Sequence, residues 1–417
     1  MGHQEDVLVI GGGVIGVCVA YYLLEEGRQV TILEREAVCS GSSFGNSGLI
    51  VPSHSIPLAA PGVFGRALKS ILDPESPLYV RPRLDSTLVS WLWQFRAACT
   101  EQRMREAVRV LLELCQASIG LYDGLIEREG LECNYARRGL LMLYNTDYGY
   151  QEGLREASLL REHGLRVTEM SGAAAHEMQP SVRSDVAGAI HYEDNASLDP
   201  SEFVYDLAAR VREKGGAIQE GAEVTGFETT NGYISTVRTT SGDFHGEHVV
   251  LAAGSWCAGL GRDLGIELPV QPGKGYSVTF EAPQASIGLP VILSEAKVGV
   301  NPMGPAIRLA GTVELAGFDV SINLRRVEAV VQAVGDYLSL GEGVAAVENP
   351  WTGLRPLTPD GLPIIGAARL PANLTVATGH AMLGMTLGPI TGKLVAELVC
   401  NQEPAVNLAP VSPNRFQ

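Results

Sequence analysis

The sequence predicts an α/β protein in which a domain built on a parallel sheet is interleaved with an α+β domain built on an antiparallel sheet. A strand, a glycine-rich turn, a helix and a second strand occupy residues 7–34. The same alternation of helices and strands returns in residues 196–260, after a long insertion. Short strand-like segments without intervening helices then follow in residues 278–320, which is typical of an antiparallel region.

Length and composition limit the class of protein. The chain has 417 residues, 46% of them hydrophobic and 19% charged, which suits two globular domains. The net charge of −16 opposes binding to nucleic acid and to anionic lipid. Seven cysteines without a CxxC pair indicate reduced thiols and no metal site. With no signal-peptide pattern and no membrane-spanning run, we expect a cytoplasmic protein; peripheral contact with the cytoplasmic face of the membrane stays open.

The glycine turn predicts a dinucleotide site. Gly11 allows the tight exit from the strand at 7–10, Gly13 lets the backbone approach a pyrophosphate, and Gly16 lets the helix at 14–26 pack closely. The strand at 30–33 ends in Glu34, which can bind the hydroxyls of an adenosine ribose and would repel a 2′-phosphate. The turn does not by itself distinguish FAD from NAD. Three neighbours are also expected to contact the cofactor: Val14, Ile15 and Arg35.

The segment after Glu34 is rich in glycine and small polar residues, so it is predicted to be a loop. An ordinary surface loop is one interpretation. Because the loop follows the ribose-binding acid directly, we favour a wall of the cofactor site. Its candidate cofactor-binding residues are Ser42, Ser43, Asn46, Ser47, Gly48 and Leu49.

Residues 56–98 are unusually apolar. Leu88, Trp91, Leu92 and Phe95 recur at helical spacing, and Trp93 lies on another face. We favour packing between domains over docking on a membrane surface, because the two apolar runs at 56–72 and 86–99 carry only three basic residues, Arg66, Lys69 and Arg96.

The remaining elements follow from periodicity and from capping and turn signals. Helices are expected at 101–129 (one helix or a pair), 148–163, 324–338 and from Asp199 to 214. Strands are expected at 139–145, 187–192, 217–219, 224–227, 248–253, 278–280, 291–293, 306–310 and 318–320. Residues 351–366 are predicted to be rich in loops, and a strand from 374 turns at 379–380 into a helix from about 387. The predicted cofactor domain is 1–70, 196–260 and 348–412, and the substrate domain is 71–195 and 261–347.

Several motifs together resemble one family. They are VIGGGVIG with Glu34, SSFGNSGLIVPSH, PGKGYS at 272–277, WTGLRPLTPDGLPIIG at 351–366 and TGHAMLGMTLGP. The chain resembles FAD-dependent D-amino acid dehydrogenases of the glycine oxidase / D-amino acid oxidase superfamily over nearly its full length. The resemblance implies a Rossmann-like FAD-binding domain and a substrate domain of the D-amino acid oxidase type.

The resemblance also implies site residues. Arg355 is expected to grip the substrate carboxylate with its planar fork of donors, with a structural salt bridge as the alternative. Tyr276, Lys274 and His54 are further candidates for substrate binding. His380 is expected to be structural in preference to a proton acceptor. The candidate cofactor contacts in the second half of the chain are Val224, Ala253, Gly254, Trp256, Gly379, His380, Gly384, Met385 and Thr386.

The implied reaction is oxidation of a D-amino acid, or of a D-proline-type cyclic amine, by hydride transfer from Cα to N5 of the flavin. The FAD is expected to be non-covalent, since no cysteine lies in the C-terminal motifs. The acceptor is expected to be a quinone, a dye or oxygen, and no side chain is required as a catalytic base. Three alternatives stay open: a glycine or sarcosine oxidase that uses oxygen, an NAD-dependent dehydrogenase, and a flavoprotein subunit that is inactive without partners.

Overall fold

The computed structural model describes residues 5–65, 78–281, 287–340 and 349–416. Its strands are β1 Glu5–Ile10, β2 Val30–Leu33, β3 Leu49–Ile50, β4 Leu78–Val80, β5 Leu140–Tyr144, β6 Val167–Met170, β7 Gly188–Tyr192, β8 Ala196–Ser197, β9 Ala217–Gln219, β10 Val224–Thr230, β11 Tyr233–Thr239, β12 Gly242–Phe244, β13 Gly246–Leu251, β14 Gln271–Glu281, β15 Val291–Leu293, β16 Val298–Met303, β17 Ala306–Leu315, β18 Trp351–Leu357, β19 Ile364–Ala367 and β20 Leu374–Thr378. Its helices are α1 Val14–Glu25, α2 Ser86–Ala98, α3 Glu101–Glu129, α4 Asp147–Glu162, α5 Gly172–Met178, α6 Pro200–Glu213, α7 Cys257–Asp263, α8 Leu324–Gln332 and α9 Gly384–Val399.

One sheet carries the glycine turn, in the order β19-β20-β13-β1-β2-β9. Strand β1 is central and pairs in parallel with β13 and β2. Helices α6 and α9 pack against α1 on this sheet. The tightest approach is at Gly392 of α9, where an added Cβ would lie 2.6 Å from the carbonyl carbon and oxygen of Cys18. Segments from both ends and the middle of the sequence therefore build the parallel sheet that was predicted.

The second sheet has the order β18-β14-β17-β16-β15-β5-β7-β6, with β4 beside β17. Most of its pairs are antiparallel, whereas β15 with β5 and β17 with β4 are parallel. The interleaved α/β fold is confirmed. The division into two domains stays a prediction, and β18 joins this sheet although its residues fall in the range assigned to the cofactor domain.

Several strand assignments differ from the prediction, and two of them have a clear physical reason. Residues 351–366 are not simply a loop, because they contain β18 and the start of β19. Proline and glycine are unfavourable in strands, so the sequence pattern of β18 did not predict a strand. β18 pairs with the start of β14, which is equally rich in glycine. Conversely, Phe318 and Val320 do not form a strand: they lie in a surface turn and are 53% and 55% exposed. An apolar residue is buried only where other elements of the fold cover it, and more than half of the surface of Phe318 and of Val320 stays exposed.

The spacing of the apolar residues in 88–95 predicted a helix with a buried face, and helix α2 packs this face on the second sheet. Trp91 and Phe95 stack with centroids 5.1 Å apart, and Trp91 Nε1 donates a hydrogen bond to the carbonyl of Leu357. Trp93 points outward and is 64% exposed. Residues 66–77 of this apolar stretch lie outside the described residues. Within the described residues, no helix combines the length and the apolar character needed to cross a bilayer.

Candidate active site

The glycine turn between β1 and α1 opens into a cavity of about 910 Å³ that runs between the two sheets. Gly11 has φ +111°, and an added Cβ would lie 2.6 Å from the carbonyl oxygen of Ala252. At Gly16 an added Cβ would lie 1.9 Å from the carbonyl oxygen of Gly11. Both positions therefore require glycine. Gly16 acts through this packing and does not line the cavity, whereas Gly11, Gly13, Val14 and Ile15 do.

Glu34 stands at the end of β2 with its carboxylate held by the backbone. Oε2 accepts from the amide of Gly12 at 2.6 Å and Oε1 accepts from the amide of Glu36 at 2.9 Å. The side chain lines the cavity, and a carboxylate has further lone pairs for a ligand's hydroxyls. Next to it, the Arg35 guanidinium lies 4.4 Å from the ring centroid of Trp256, which also lines this end.

The loop after Glu34 is held by helix α1 and by two strands of the second sheet. Ser43 Oγ accepts from the amide of Val14 at 3.0 Å, and Ser42 Oγ donates to the carbonyl of Leu354 at 2.6 Å. From the second sheet, Arg308 donates to the carbonyl of Asn46 at 2.9 Å. The predicted loop residues on the cavity wall are Ser42, Ser43, Asn46, Ser47 and Leu49. Gly48 is set back: its φ is +73°, and an added Cβ would lie 2.1 Å from the carbonyl oxygen of Leu198.

The second glycine-rich turn, before α9, closes the cavity from the other side. Gly384 and Met385 line it, as do His380 and, from other elements, Val224, Ala253, Gly254 and Trp256. Helix α9 begins at Gly384, three residues before the expected start. Gly379 and Thr386 do not line the cavity. Gly379 has φ +75° and allows the chain to turn there. Thr386 Oγ1 accepts a hydrogen bond from the amide of Val51 at 3.1 Å, and this bond links the start of α9 to the segment that follows the 42–49 loop.

His380 has its Nε2 atom 3.0 Å from Thr391 Oγ1 in α9. Burial lowers the pKa of His380 to about 3, so its ring is neutral near pH 7. The side chain is 3% exposed. This arrangement agrees with the structural role favoured from the sequence.

Arg355 lies on β18 and lines the cavity from the second sheet. Its Nη1 atom donates to the carbonyl of Thr312 at 2.7 Å, and no carboxylate in the described part of the chain forms a salt bridge with it. Burial lowers the pKa of Arg355 to about 10, so it stays charged at pH 7. An enclosed guanidinium without a counter-ion is costly unless an anion binds, so the geometry favours a ligand carboxylate over a structural salt bridge.

The position of this guanidinium depends on two residues that the sequence did not single out. Gly275 of β14 leaves the space over which the arginine lies, since an added Cβ would be 2.0 Å from Nη1. Thr312 of β17 has φ +62°, which is rare for a β-branched residue. Its backbone lies where the register between β14 and β17 shifts, and this turns its carbonyl toward Arg355. Strain of this kind is common at functional sites.

Lys274 does not reach the cavity. It alternates with Gly273 and Gly275 along β14, so its side chain projects from the opposite face of the sheet to Arg355. There it is 2% exposed and pairs with Glu314 and Asp319 at 3.5 and 3.4 Å. Tyr276 contributes to the cavity wall, but its hydroxyl donates to Glu314 at 2.9 Å on that same opposite face. The structure thus gives a substrate role to neither polar group.

His54, in a single 3₁₀ turn at Pro52–His54, lines the cavity near Lys297. Burial and the charge of Lys297 lower the pKa of His54 to about 4, so the ring is neutral near pH 7. Its Nδ1 atom lies 3.3 Å from Ser53 Oγ. Apolar side chains continue this wall at Met142 and Ile292.

The same cavity therefore joins a dinucleotide turn to an arginine set on a second sheet. Within the described residues, no group of three or more His, Cys, Asp or Glu side chains could hold a metal ion. The glycine turn and the carboxylate of Glu34 suit the pyrophosphate and the ribose of an adenine dinucleotide. Fold and site define an oxidoreductase that combines a dinucleotide turn on a parallel sheet with a second, largely antiparallel sheet.

Comparison with known proteins agrees. Residues 6–398 match the family described as FAD dependent oxidoreductase. The chain is 33% identical to a D-amino acid dehydrogenase of Xanthobacter autotrophicus and 34% identical to one of Methylobacterium radiotolerans, in each case over 98% of this chain and 99% of the relative. The crystal structure of glycine oxidase from Geobacillus kaustophilus matches with a TM-score of 0.78 at 26% identity, covering 99% of both chains. The chain belongs to the family of FAD dependent oxidoreductases.

Proposed function

We propose that this protein oxidises the α-amino group of a D-amino acid to an imine, which water then hydrolyses. Arg355 carries the proposal, because it is the charged anchor that an amino acid carboxylate requires. FAD supplies the oxidised ring that accepts the hydride from Cα. The full-length relatives named D-amino acid dehydrogenase support the choice of substrate class.

The residues of the chain contribute binding and orientation. Arg355 fixes the carboxylate, and Thr312 fixes Arg355, so the α-carbon is held in one position. The enclosure of the site strengthens this ion pair by excluding water. His54 and His380 are neutral near pH 7 by burial. The proposal therefore assigns no side chain as a base, and the amine loses its proton to water.

The cofactor is proposed to be held without a covalent bond. Glu34 would bind the ribose, the amides around Gly13 the pyrophosphate, and the segment at 42–49 and Met385 the ring system. None of the seven cysteines lines the cavity, which supports non-covalent binding. All seven are free thiols, which suits a reducing compartment such as the cytoplasm. Peripheral contact with a membrane stays a prediction, and flotation with liposomes would test it.

The acceptor is proposed to be a quinone or a dye in preference to oxygen. The relatives named dehydrogenase are 33% and 34% identical to this chain, whereas the similar oxidase is 26% identical. The yield of hydrogen peroxide in air, compared with the rate of dye reduction, tests this choice. A peroxide yield near one per turnover would favour the oxidase alternative.

The decisive experiment is anaerobic bleaching of the flavin by D- and L-amino acids in the wild type and in Arg355→Ala. We expect D-enantiomers to bleach the wild type, and the variant to stay yellow while its Michaelis constant rises about 100-fold or more, since a buried charge-assisted contact is lost. Arg369→Ala, which removes an exposed arginine, is the matched control. Normal kinetics in Arg355→Ala, or bleaching only by L-enantiomers, would contradict the proposal.

A further inference from the structure

The protonation of His54 is fixed by a chain of hydrogen bonds. The backbone amide of Ser53 donates to Asn195 Oδ1 at 3.3 Å, which sets the orientation of the Asn195 side-chain amide. Asn195 Nδ2 then donates to Ser53 Oγ at 2.7 Å. The serine hydroxyl is left with one hydrogen, and the nearby acceptor is His54 Nδ1 at 3.3 Å. A proton on Nδ1 instead would leave this buried hydroxyl hydrogen without an acceptor.

Nδ1 therefore accepts, and the neutral ring carries its proton on Nε2. Asn195 is fully buried and Ser53 is 6% exposed, so water does not compete for this arrangement. Within the described residues Nε2 has no partner, and His54 is a wall residue of the cavity. The cavity thus receives one N–H donor from His54 and no acceptor.

The extent of the cavity wall beyond Arg355 sets the room that is available to a ligand. The arginine reaches β17 through its bond to Thr312, and the cavity wall continues through Lys297 before β16, Ile292 on β15 and Met142 on β5. From β17 to β5 there are three strand spacings, about 14 Å. That length exceeds what the carboxylate, amine and α-carbon of an amino acid occupy. The apolar part of the wall suits a methylene chain.

We propose that the substrate is a D-amino acid with an extended side chain that ends in a hydrogen-bond acceptor, such as the amide of glutamine or the carboxylate of glutamate, and that Nε2–H of His54 binds this end. The inference rests on the proposed function and adds the substrate class. Ser53 and Asn195 are positioning residues that act through His54.

Three charged side chains line the cavity on the side of β15, β16 and α4, namely one lysine and two carboxylates. Lys297 lies there and forms no salt bridge within the described residues. Glu295 lines the same end, but its carboxylate already accepts from Tyr337 at 2.7 Å and from Thr146 at 2.9 Å. Glu156 also lines the cavity, and carboxylates favour a substrate with a cationic end. D-lysine is therefore the competitor to include in the test.

The test compares kcat/KM for D-glutamine, D-glutamate, D-homoleucine, D-lysine and D-alanine in the wild type. D-homoleucine has the shape of glutamine without the acceptor, so we expect D-glutamine or D-glutamate to exceed it about tenfold or more. In His54→Phe this ratio should fall to near one. His163→Phe, at the exposed C-terminal end of α4, should keep the wild-type ratio.

The positioning role has its own readout. Ser53→Ala removes the donor to Nδ1 and frees the ring to adopt either tautomer, so the ratio should fall several-fold. Ser53→Thr keeps the hydroxyl and should preserve the ratio. These variants test the inference even where His54→Phe does not fold, because a purely structural serine would change stability and leave the ratio alone.

Equal kcat/KM for D-glutamine and D-homoleucine, preference for D-lysine, or a ratio unchanged in both His54→Phe and Ser53→Ala would overturn the inference. In each of those cases D-alanine still bleaches the flavin if the proposed function holds. If D-alanine and the rest of the panel leave the flavin oxidised, the proposed function fails too. The two failures are thereby distinguished.

Discussion

The guanidinium of Arg355 lies directly over Gly275, whose missing side chain makes room for it. A Cβ atom at Gly275 would lie 2.0 Å from Nη1, 2.4 Å from Cζ and 2.5 Å from Nη2. The two residues belong to neighbouring antiparallel strands and are 80 positions apart in the sequence. The position of Arg355, the proposed carboxylate anchor, therefore depends on the absence of a side chain at Gly275 on the adjacent strand.

Gly275→Ala should displace this guanidinium. We expect the Michaelis constant for D-amino acids to rise about tenfold or more, because a misplaced anchor loses its bidentate geometry. FAD content, read from the visible spectrum, should stay normal. Gly226→Ala on β10 is the matched control, since an added Cβ there meets nothing within 4 Å. An unchanged Michaelis constant in Gly275→Ala would count against the assigned position of Arg355.

Glu34→Ala should weaken the binding of FAD. The carboxylate holds the amide of Gly12 in the glycine turn and, in the proposal, the ribose hydroxyls. Loss of hydrogen bonds to a charged group costs about 1.5–3 kcal/mol, which is a rise in the dissociation constant of roughly 10- to 100-fold. Titration of the apoprotein with FAD, followed by flavin fluorescence, measures it. Glu36→Ala removes a neighbouring exposed carboxylate and should bind FAD like the wild type.

Gly392→Ala should destabilise the parallel-sheet half of the fold. The new Cβ would collide with the backbone of Cys18 in α1, and overpacking of this kind costs about 1–3 kcal/mol. Gly120→Ala is the control, and it should change the free energy of unfolding in the opposite direction. Gly120 is exposed within α3 with nothing near an added Cβ, so alanine there should stabilise by about 0.5–1 kcal/mol. Urea unfolding of both variants gives the two values, and equal signs would be inconsistent with the helix packing described.

Stability should fall as the pH falls below 6.5. Burial lowers the pKa of His248 to about 4 and that of His380 to about 3. Below pH 6.5 these histidines therefore bind protons in the unfolded chain before they do so in the folded chain. Each of these histidines then removes about 1.4 kcal/mol of unfolding free energy per pH unit between 6.5 and its folded pKa. His248→Gln should flatten this decline between pH 6.5 and 4.5. Thermal unfolding at a series of pH values measures it, with His163→Gln expected to decline like the wild type.

The sequence pattern predicted an element correctly where that element depends only on residues close to it in the chain. The turn from Gly11 to Gly16, the strand at 30–33 and the cap at Asp199 all lie where the sequence predicted them, because each depends on neighbours in the chain. The apolar spacing of α2 likewise predicted its buried face. The strands at 271–277 and 351–357 were not predicted, because their proline and glycine residues are unfavourable in strands. Pairing between these two distant segments stabilises them.

By itself, the sequence determined that this protein has a dinucleotide turn ending in an acid, a second glycine turn near its C-terminus, and an arginine motif resembling those of FAD-dependent D-amino acid dehydrogenases. Only the tertiary structure decided which side chains share the cavity. It placed Lys274 on the far face of the sheet, Gly275 under Arg355, and Asn195 behind Ser53 and His54. The physical reason is that successive side chains along a strand point to opposite faces of the sheet, which the sequence alone shows. Which of the two faces lines the cavity depends on strands and loops that are distant in the chain.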